Sequence, residues 1–375
     1  MSPRNAGASE SQITRVAAYR QWQPFAAGPY VCRGHREEGN DSTVVMLTTA
    51  GGSVGVGEIA PLGSFYSAAF ADGARSGIAL LAPLLIGLDA TQPRLIRALL
   101  DTTMLGHPYV KSAFDMACWD LAAQRAGQPL CEALGGRFGD DVVLYRSVSQ
   151  DDPAAMAASA RRFVADGYRR LQVKVGLHPE EDAERVAAVR AAVGSEIELA
   201  ADANGGWTTA EARIFLRSTT GLEYALEQPC MTLEECLAIR ATCDRPLILD
   251  ESIVSLATLL AARRGGADGV TIKLSRVGGI TAAALLRDVA CELGLPVAIE
   301  CTGGAQIGSA AIAHVSLSTP EELRRQTIDF HAWVTVANGS GMPDAANGRM
   351  RPPDGPGLGI TADLEVLGDP IMVVT

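Results

Sequence analysis

Five apolar runs, LQVKVG (171–176), ELAADANGG (198–206), YALEQP (224–229), LILDES (247–252) and GVTIKLSRVGG (269–279), each carry charge at or near the end of the run. The residues are Lys174, Asp202 with Asn204, Glu227, Asp250 with Glu251, and Lys273. From Lys174 onward the principal charges are 28, 25, 23 and 23 residues apart, the length of a strand plus a returning helix. In a parallel α/β barrel every strand points the same way, so residues at the strand ends gather around one mouth. A single Lys or Asp at a strand end is ordinarily a solvated or ion-paired surface group. Five of them in phase give a different expectation: three carboxylates and two lysines facing one another.

Three acids on consecutive strands make an oxygen-rich pocket suited to a hard divalent cation, and magnesium prefers carboxylates plus retained water and substrate oxygens. Asp202, Glu227 and Asp250 are the candidate ligands. The two lysines suit proton abstraction from carbon. A proton alpha to a carboxylate is too weakly acidic for a side chain to remove unless the resulting enediolate is stabilised, which a cation at the carboxylate oxygens would do. Such a cation should also lower a neighbouring lysine's pKa and make it a usable base. Lys174 and Lys273 fall on the second and sixth strands of the count, on opposite sides of the mouth. A base on each face permits racemisation, and a base on one face suffices for elimination.

The strand-then-helix rhythm starts near Val142, with helices expected over 153–165, 179–192, 209–218, 232–242, 255–264, 279–293 and 304–317. Thr208 with Glu211 is a capping-box signal. The seventh strand ends in ECTGG (300–304), whose glycines at a helix start could expose N–H groups to an anion, and the eighth is expected near 327–330. Before the barrel, strands are expected at 13–20 and 43–49, followed by helices over 67–85, 92–104 and 109–125, with Trp119 in core packing. Residues 21–40 read as a polar loop, and Gly135 with Gly136 as a helix stop.

The chain's 375 residues leave room for a second, smaller domain beside a barrel of about 200–250 residues, and its 47% hydrophobic content suffices for a large core. A net charge of −11 with no basic tract argues against nucleic acid. No apolar run approaches the roughly 20 residues of a membrane span, and the polar opening 1–12 lacks a signal-peptide core. Cys32, Cys118, Cys131, Cys230, Cys236, Cys243, Cys291 and Cys301 show no zinc spacing and read as reduced thiols of a cytoplasmic protein. Covalent catalysis by Cys301 is not expected, since no histidine is placed beside it.

On these residues the chain resembles the enolase superfamily, muconate-lactonising subgroup, from about Thr14 to its end. The resemblance implies a modified (β/α)7β TIM-like barrel (139–336) with an N-terminal α+β capping domain (1–138) and a C-terminal segment (337–375) that returns to the cap. It implies Lys174 and Lys273 as acid–base residues and Asp202, Glu227 and Asp250 as ligands of one Mg2+ per subunit, with Mn2+ as a substitute. It also implies a small carboxylate substrate and a homo-oligomer. One departure is plain: the first lysine of the family's KxK pattern is Gln172 here. Residues 21–40 and 61–66 would be lids over the mouth.

Within the subgroup, GHPYVKSAFD, LAADANGGWTT, LEQPC, KLSRVGG and GPGLGIT resemble enzymes of proline derivatives, the cis-3-hydroxyproline dehydratases and hydroxyproline-betaine epimerases. That resemblance implies a substrate-binding set of Tyr66, Gln172, Asn204, Trp207, Glu251, Cys301, Thr302 and Trp333. Tyr66, Trp207 and Trp333 would wall a cationic ring nitrogen, and Asp329 and His331 would bear on specificity. A muconate-type cycloisomerase, an N-acylamino-acid or dipeptide epimerase, and a non-catalytic relative are the alternatives. A dipeptide epimerase would be expected to carry an acidic pair on the last strand, where this chain has only Asp329 before Phe330 and His331.

Overall fold

The computed structural model describes residues 9–375, so most of the polar opening lies outside the described residues. The chain begins with a long antiparallel ribbon, β1 (Ile13–Pro24), and its partner across the register is Gly39–Thr49. Between them β2 (Tyr30–Cys32) and β3 (His35–Glu37) form a small hairpin. The segment expected to be a 20-residue loop is thus mostly strand. Backbone pairing with the facing chain carried both strands past the point where the apolar alternation ends. With Gly39–Thr49 as β4 and Val54–Ile59 as β5, the sheet runs β1–β4–β5, and Met372–Val374 from the far end of the chain adds antiparallel to the other edge of β1.

Three helices cover this sheet: α1 (Ala71–Leu81), α2 (Pro93–Thr103) and α3 (Pro108–Ala126). The first is shorter than its apolar spacing suggests, because Pro83 turns the stretch Ala82–Leu85 into a 3-10 turn. A seam of small residues brings α3 onto β5. A Cβ built on Gly57 would lie 2.0 Å from the Ala113 carbonyl, and one on Gly55 2.3 Å from that of Ala117. The sheet and helices bury Ile13, Val45, Leu47, Ile78, Leu81, Ile96 and Phe114 in a core of their own.

Eight parallel strands follow: Arg146–Val148, Arg170–Lys174, Glu198–Asp202, Ala225–Glu227, Leu247–Leu249, Gly269–Lys273, Val297–Glu300 and Arg324–Gln326. The eighth lies earlier than the expected 327–330. Only Thr327 of that stretch continues it, pairing with Leu144 and receiving the Tyr145 N–H at 3.1 Å, which closes the barrel. The outer helices fall within two residues of their expected bounds, as in Pro153–Ala165, Thr209–Ser218 and Gln306–Leu317. Thr208 and Glu211 form the expected capping box, and Thr232 with Glu235 forms another. A one-turn helix, Leu274–Val277, directly after the sixth strand was not foreseen.

The sheet and the barrel are clasped at two points that matter for the mouth. Trp119 packs against the barrel core and donates its Nε1–H to Thr281 Oγ1 at 2.8 Å. The glycine loop after the seventh strand does hold an anion, and that anion is internal. The buried Glu58 carboxylate from β5 accepts the N–H groups of Ala305 (3.1 Å) and Gly308 (2.8 Å), together with Gln23 Nε2–H and the Ser42 hydroxyl. The expected anion site is therefore filled by the protein's own cap.

Candidate active site

Strand register sets the frame. Lys174 pairs across the sheet with Asp202, Asp202 with Glu227, and Lys273 with Glu300. Because the strands are parallel and in step, these side chains emerge at one level, and all are at least nine-tenths buried. Lys174 Nζ donates to Asp202 Oδ2 at 2.5 Å and to Asn204 Oδ1 at 3.2 Å. Lys273 Nζ donates to Asp250 Oδ2 at 2.8 Å and to the Tyr66 hydroxyl, and lies 3.7 Å from Glu300 Oε2. Arg276, from the one-turn helix, donates Nη1–H to Asp250 Oδ1 at 2.5 Å and Nη2–H to Tyr66 at 2.8 Å. Gln172 donates to Glu227 Oε2 at 3.0 Å, in place of the ammonium that a lysine would bring there.

Asn204 is a hub. Held at φ 46°, it donates through Nδ2 to Asp202 Oδ2 and Glu251 Oε1, both at 3.0 Å, while its Oδ1 accepts from Lys174 and, at 3.0 Å, from the Cys32 thiol on the β2–β3 hairpin. The hairpin is pinned across the mouth by Val31 N–H to Ser149 Oγ at 2.6 Å.

Electrostatics show too much negative charge for the cations present. Burial, followed by repulsion from Asp202, Asp250 and Glu300, pushes Glu227 up to about 8. Burial likewise pushes Glu300 up to about 7, with Lys273 opposing it. Burial alone would also raise Asp250, but Arg276 and Lys273 outweigh it and hold that carboxyl well below the usual range. Burial works against both lysine ammonium groups, yet Asp202 holds Lys174 well above its ordinary value and Asp250 with Glu300 does the same for Lys273. These ion pairs are why, without a cation, both lysines lie above their ordinary values and not below them as expected.

Among the described residues no three His, Cys, Asp or Glu side chains stand in ready ligating geometry, because the carboxylates are turned onto Lys174, Lys273, Arg276 and Gln172. The donor chemistry nevertheless fits magnesium. Three buried oxygen donors sit at the ends of consecutive strands, and the strain on Glu227 is of the kind that a divalent cation relieves.

Above this layer lies a cavity of about 40 Å3 lined by Lys174, Lys273, Gln172, Tyr66, Glu300 and Trp333, among others. Cys301 and Thr302 line it too, with the Thr302 hydroxyl donating to the Ala60 carbonyl at 2.7 Å. Asn204 and Glu251 lie beside the carboxylates rather than on the cavity wall. Trp207 is not brought to the cavity: its ring packs on Phe215, centroids 4.4 Å apart, and its Nε1–H is spent on the Leu177 carbonyl. The turn Asn204–Gly205, both with positive φ, sends the chain outward before Trp207.

Trp333 and Tyr66 do line the cavity, but each ring already has a cation of the protein near it. Arg146 lies 4.6 Å from the Trp333 ring centroid, and Lys273 lies 4.9 Å from that of Tyr66. Asp329 is the support beneath this arrangement, accepting from Arg146 at 3.1 Å and from the Tyr168 hydroxyl at 2.6 Å. His331 is not among the lining residues. The sequence reading missed Arg276, Glu300, Arg146 and the aromatic residue Tyr30 as parts of the site. Glu300 was visible as the last residue of the seventh strand, in phase with Lys273; the others depend on contacts between distant segments.

Comparison with known proteins agrees with this fold. Residues 155–366 match the family described as enolase C-terminal domain-like, and residues 18–135 match the mandelate racemase / muconate lactonizing enzyme N-terminal domain. A cis-3-hydroxy-L-proline dehydratase of Roseibium aggregatum is 42% identical over 362 residues, 96% of this chain and 99% of that protein. A solved enolase-superfamily member from Roseovarius nubinhibens ISM, complexed with magnesium, superposes with a TM-score of 0.91 at 36% identity, covering 97% of this chain and 99% of that one. A dipeptide epimerase from Cytophaga hutchinsonii, complexed with Mg and the dipeptide D-Ala-L-Val, superposes equally well at 28% identity, with the same coverage.

Proposed function

The chain belongs to the mandelate racemase/muconate lactonizing enzyme family of the enolase superfamily, and from that premise we propose that it removes the α-proton of a small cyclic imino acid. Its reaction is dehydration of a cis-3-hydroxy-L-proline type of substrate, with 2-epimerisation available to the same two bases. The observation that carries this reading is the placing of Lys174 and Lys273 on one small cavity above three buried carboxylates. Asp329, the acid that a dipeptide's amine would need, is already bound to Arg146, Tyr168 and Trp333.

In this reading Asp202, Glu227 and Asp250 hold magnesium, one ion per subunit and replaceable by manganese, which when bound stabilises negative charge on the substrate carboxylate. With a cation held by those carboxylates, Asp202 would bind the Lys174 ammonium less strongly and Asp250 that of Lys273, and a neutral lysine is the base the step requires. Lys174 and Lys273 take or return the α-proton from opposite faces. Glu300, whose Oε1 is buried without a partner among the described residues, receives the ring ammonium, the Tyr66 and Trp333 rings already having Lys273 and Arg146 near them. Among the described residues no helix is long and apolar enough to cross a membrane. The eight free cysteines support a cytoplasmic setting, and a homo-oligomer belongs to the same reading.

The test is α-proton loss from a panel of proline analogues in deuterated water with magnesium. The reading predicts exchange or elimination with a 3-hydroxyproline and its loss in chelator. Turnover of dipeptides or muconate in preference to every imino acid would contradict it.

A further inference from the structure

The cap contributes an unspent hydrogen-bonding group to the catalytic cavity. Asn40, the second residue of β4, is 1% exposed and lines the cavity, yet among the described residues neither its Oδ1 nor its Nδ2 has a partner. A buried amide without partners is costly, and such groups are rare in native proteins unless a ligand or water completes them. The Asn40 amide is pressed against the loop after the seventh strand, where a Cβ on Gly303 would lie 2.7 Å from Asn40 Oδ1, so the glycine is what admits it. On the cavity wall it has Glu300, Thr302 and Lys273 for company. Thr302 is committed to Ala60, and Lys273 to Asp250 and Tyr66.

We propose that Asn40 recognises the ring hydroxyl of the substrate and thereby selects a hydroxylated imino acid over an unsubstituted one. This rests on the imino-acid reading above and adds the group that reads the substituent. A hydroxyl both donates and accepts, and a neutral primary amide offers one partner for each role. A carboxylate or ammonium substituent would fit less well, since each presents only one of the two roles. The selection follows the usual asymmetry: a site built to hydrogen-bond a hydroxyl penalises the analogue that leaves its polar groups buried and unpaired. Because Asn40 belongs to the cap and the lysines to the barrel, substituent recognition and proton transfer are carried by separate parts of the chain.

The experiment compares the rate of α-proton loss from a 3-hydroxyproline with that from proline, as a ratio of kcat/KM, in wild type, Asn40→Ala and Asn40→Ser. The ratio should fall roughly 10- to 100-fold in Asn40→Ala. Asn40→Ser, which keeps a hydroxyl, should give an intermediate value, and it remains readable should the alanine variant fail to fold. A merely structural role for Asn40 would slow both substrates together, so a ratio within about threefold of wild type in both variants overturns the assignment. A wild-type protein that removes the α-proton of neither ring overturns the imino-acid reading itself, and this inference with it.

Discussion

Glu227 carries the heaviest electrostatic load of the strand-end residues, sandwiched in register between Asp202 and the fifth strand and buried with, among the described residues, only Gln172 and Thr271 as side-chain donors. Its carboxyl is pushed up to about 8 by burial and by its acidic neighbours, whereas an unfolded chain would ionise it in the ordinary range near 4 to 5. A raised carboxyl is a cost to the metal-free fold that grows as pH rises and is complete above about 8. Glu227→Gln should therefore raise the Tm of metal-free protein, most at pH 8 and above. The same change should remove both the Tm increase that Mg2+ gives wild type and the activity. Thermal unfolding with and without Mg2+ reads this directly, and a variant no more stable than wild type at pH 9 would refute the surplus-charge account. At this scale the sequence was informative where chemistry repeats with the strand. Lys174, Asp202, Glu227, Asp250 and Lys273 were legible because each ends a run. Trp207 was misplaced because two positive-φ residues redirect the chain after Asp202, and Asn40 was invisible because its neighbours come from the loop after the seventh strand.

Among the elements, the packing of α3 on β5 is the least tolerant contact. Gly55 and Gly57 let the helix backbone lie against the strand, and a methyl at Gly57 would overlap the Ala113 carbonyl at 2.0 Å. Backbone cannot move aside as a flexible side chain would. Gly57→Ala should cost roughly 1–3 kcal/mol or more, as overpacking does. It should show as a lowered Tm with the cap loosening before the barrel, followed by hydrogen exchange in Ile13–Pro24 and Gly39–Thr49. Unchanged stability would mean that the seam has slack. Helices were read well from sequence because capping boxes and 3.6-residue spacing are local signals. Strand ends in the cap were read poorly, because β1 and β4 continue wherever a partner backbone faces them, through Gln23 and Asn40.

At the scale of the whole molecule, the end of the chain is tied to both parts. Met372–Val374 pairs with β1, and His314, on a barrel helix, donates Nε2–H to the Leu358 carbonyl while Nδ1 accepts the Cys131 N–H, each at 3.3 Å. Burial drives His314 down to about 4. A depressed histidine stays neutral in the fold while the unfolded chain takes up a proton, so stability is lost as pH falls from about 6.5 through 4, by on the order of 3 kcal/mol. Asp115 and Asp120, both pushed up to about 6 by burial, work in the opposite direction as pH falls through that range. The comparison that isolates His314 is His314→Asn against wild type. The variant's Tm should fall less between pH 6.5 and 4, and an equal fall would remove His314 from the account. The tail's return was expected from the family resemblance alone, since a glycine- and proline-rich stretch has no period that says where it docks.

In the proposed reaction Lys174 and Lys273 work from opposite faces of one substrate carbon. Deuterium incorporation at the α-carbon of each enantiomer of the imino acid, followed by NMR in wild type, Lys174→Ala and Lys273→Ala with magnesium present, separates the two faces. Each variant should lose exchange of one enantiomer and keep that of the other, with epimerisation abolished in both. Loss of the same enantiomer's exchange in both variants would contradict it.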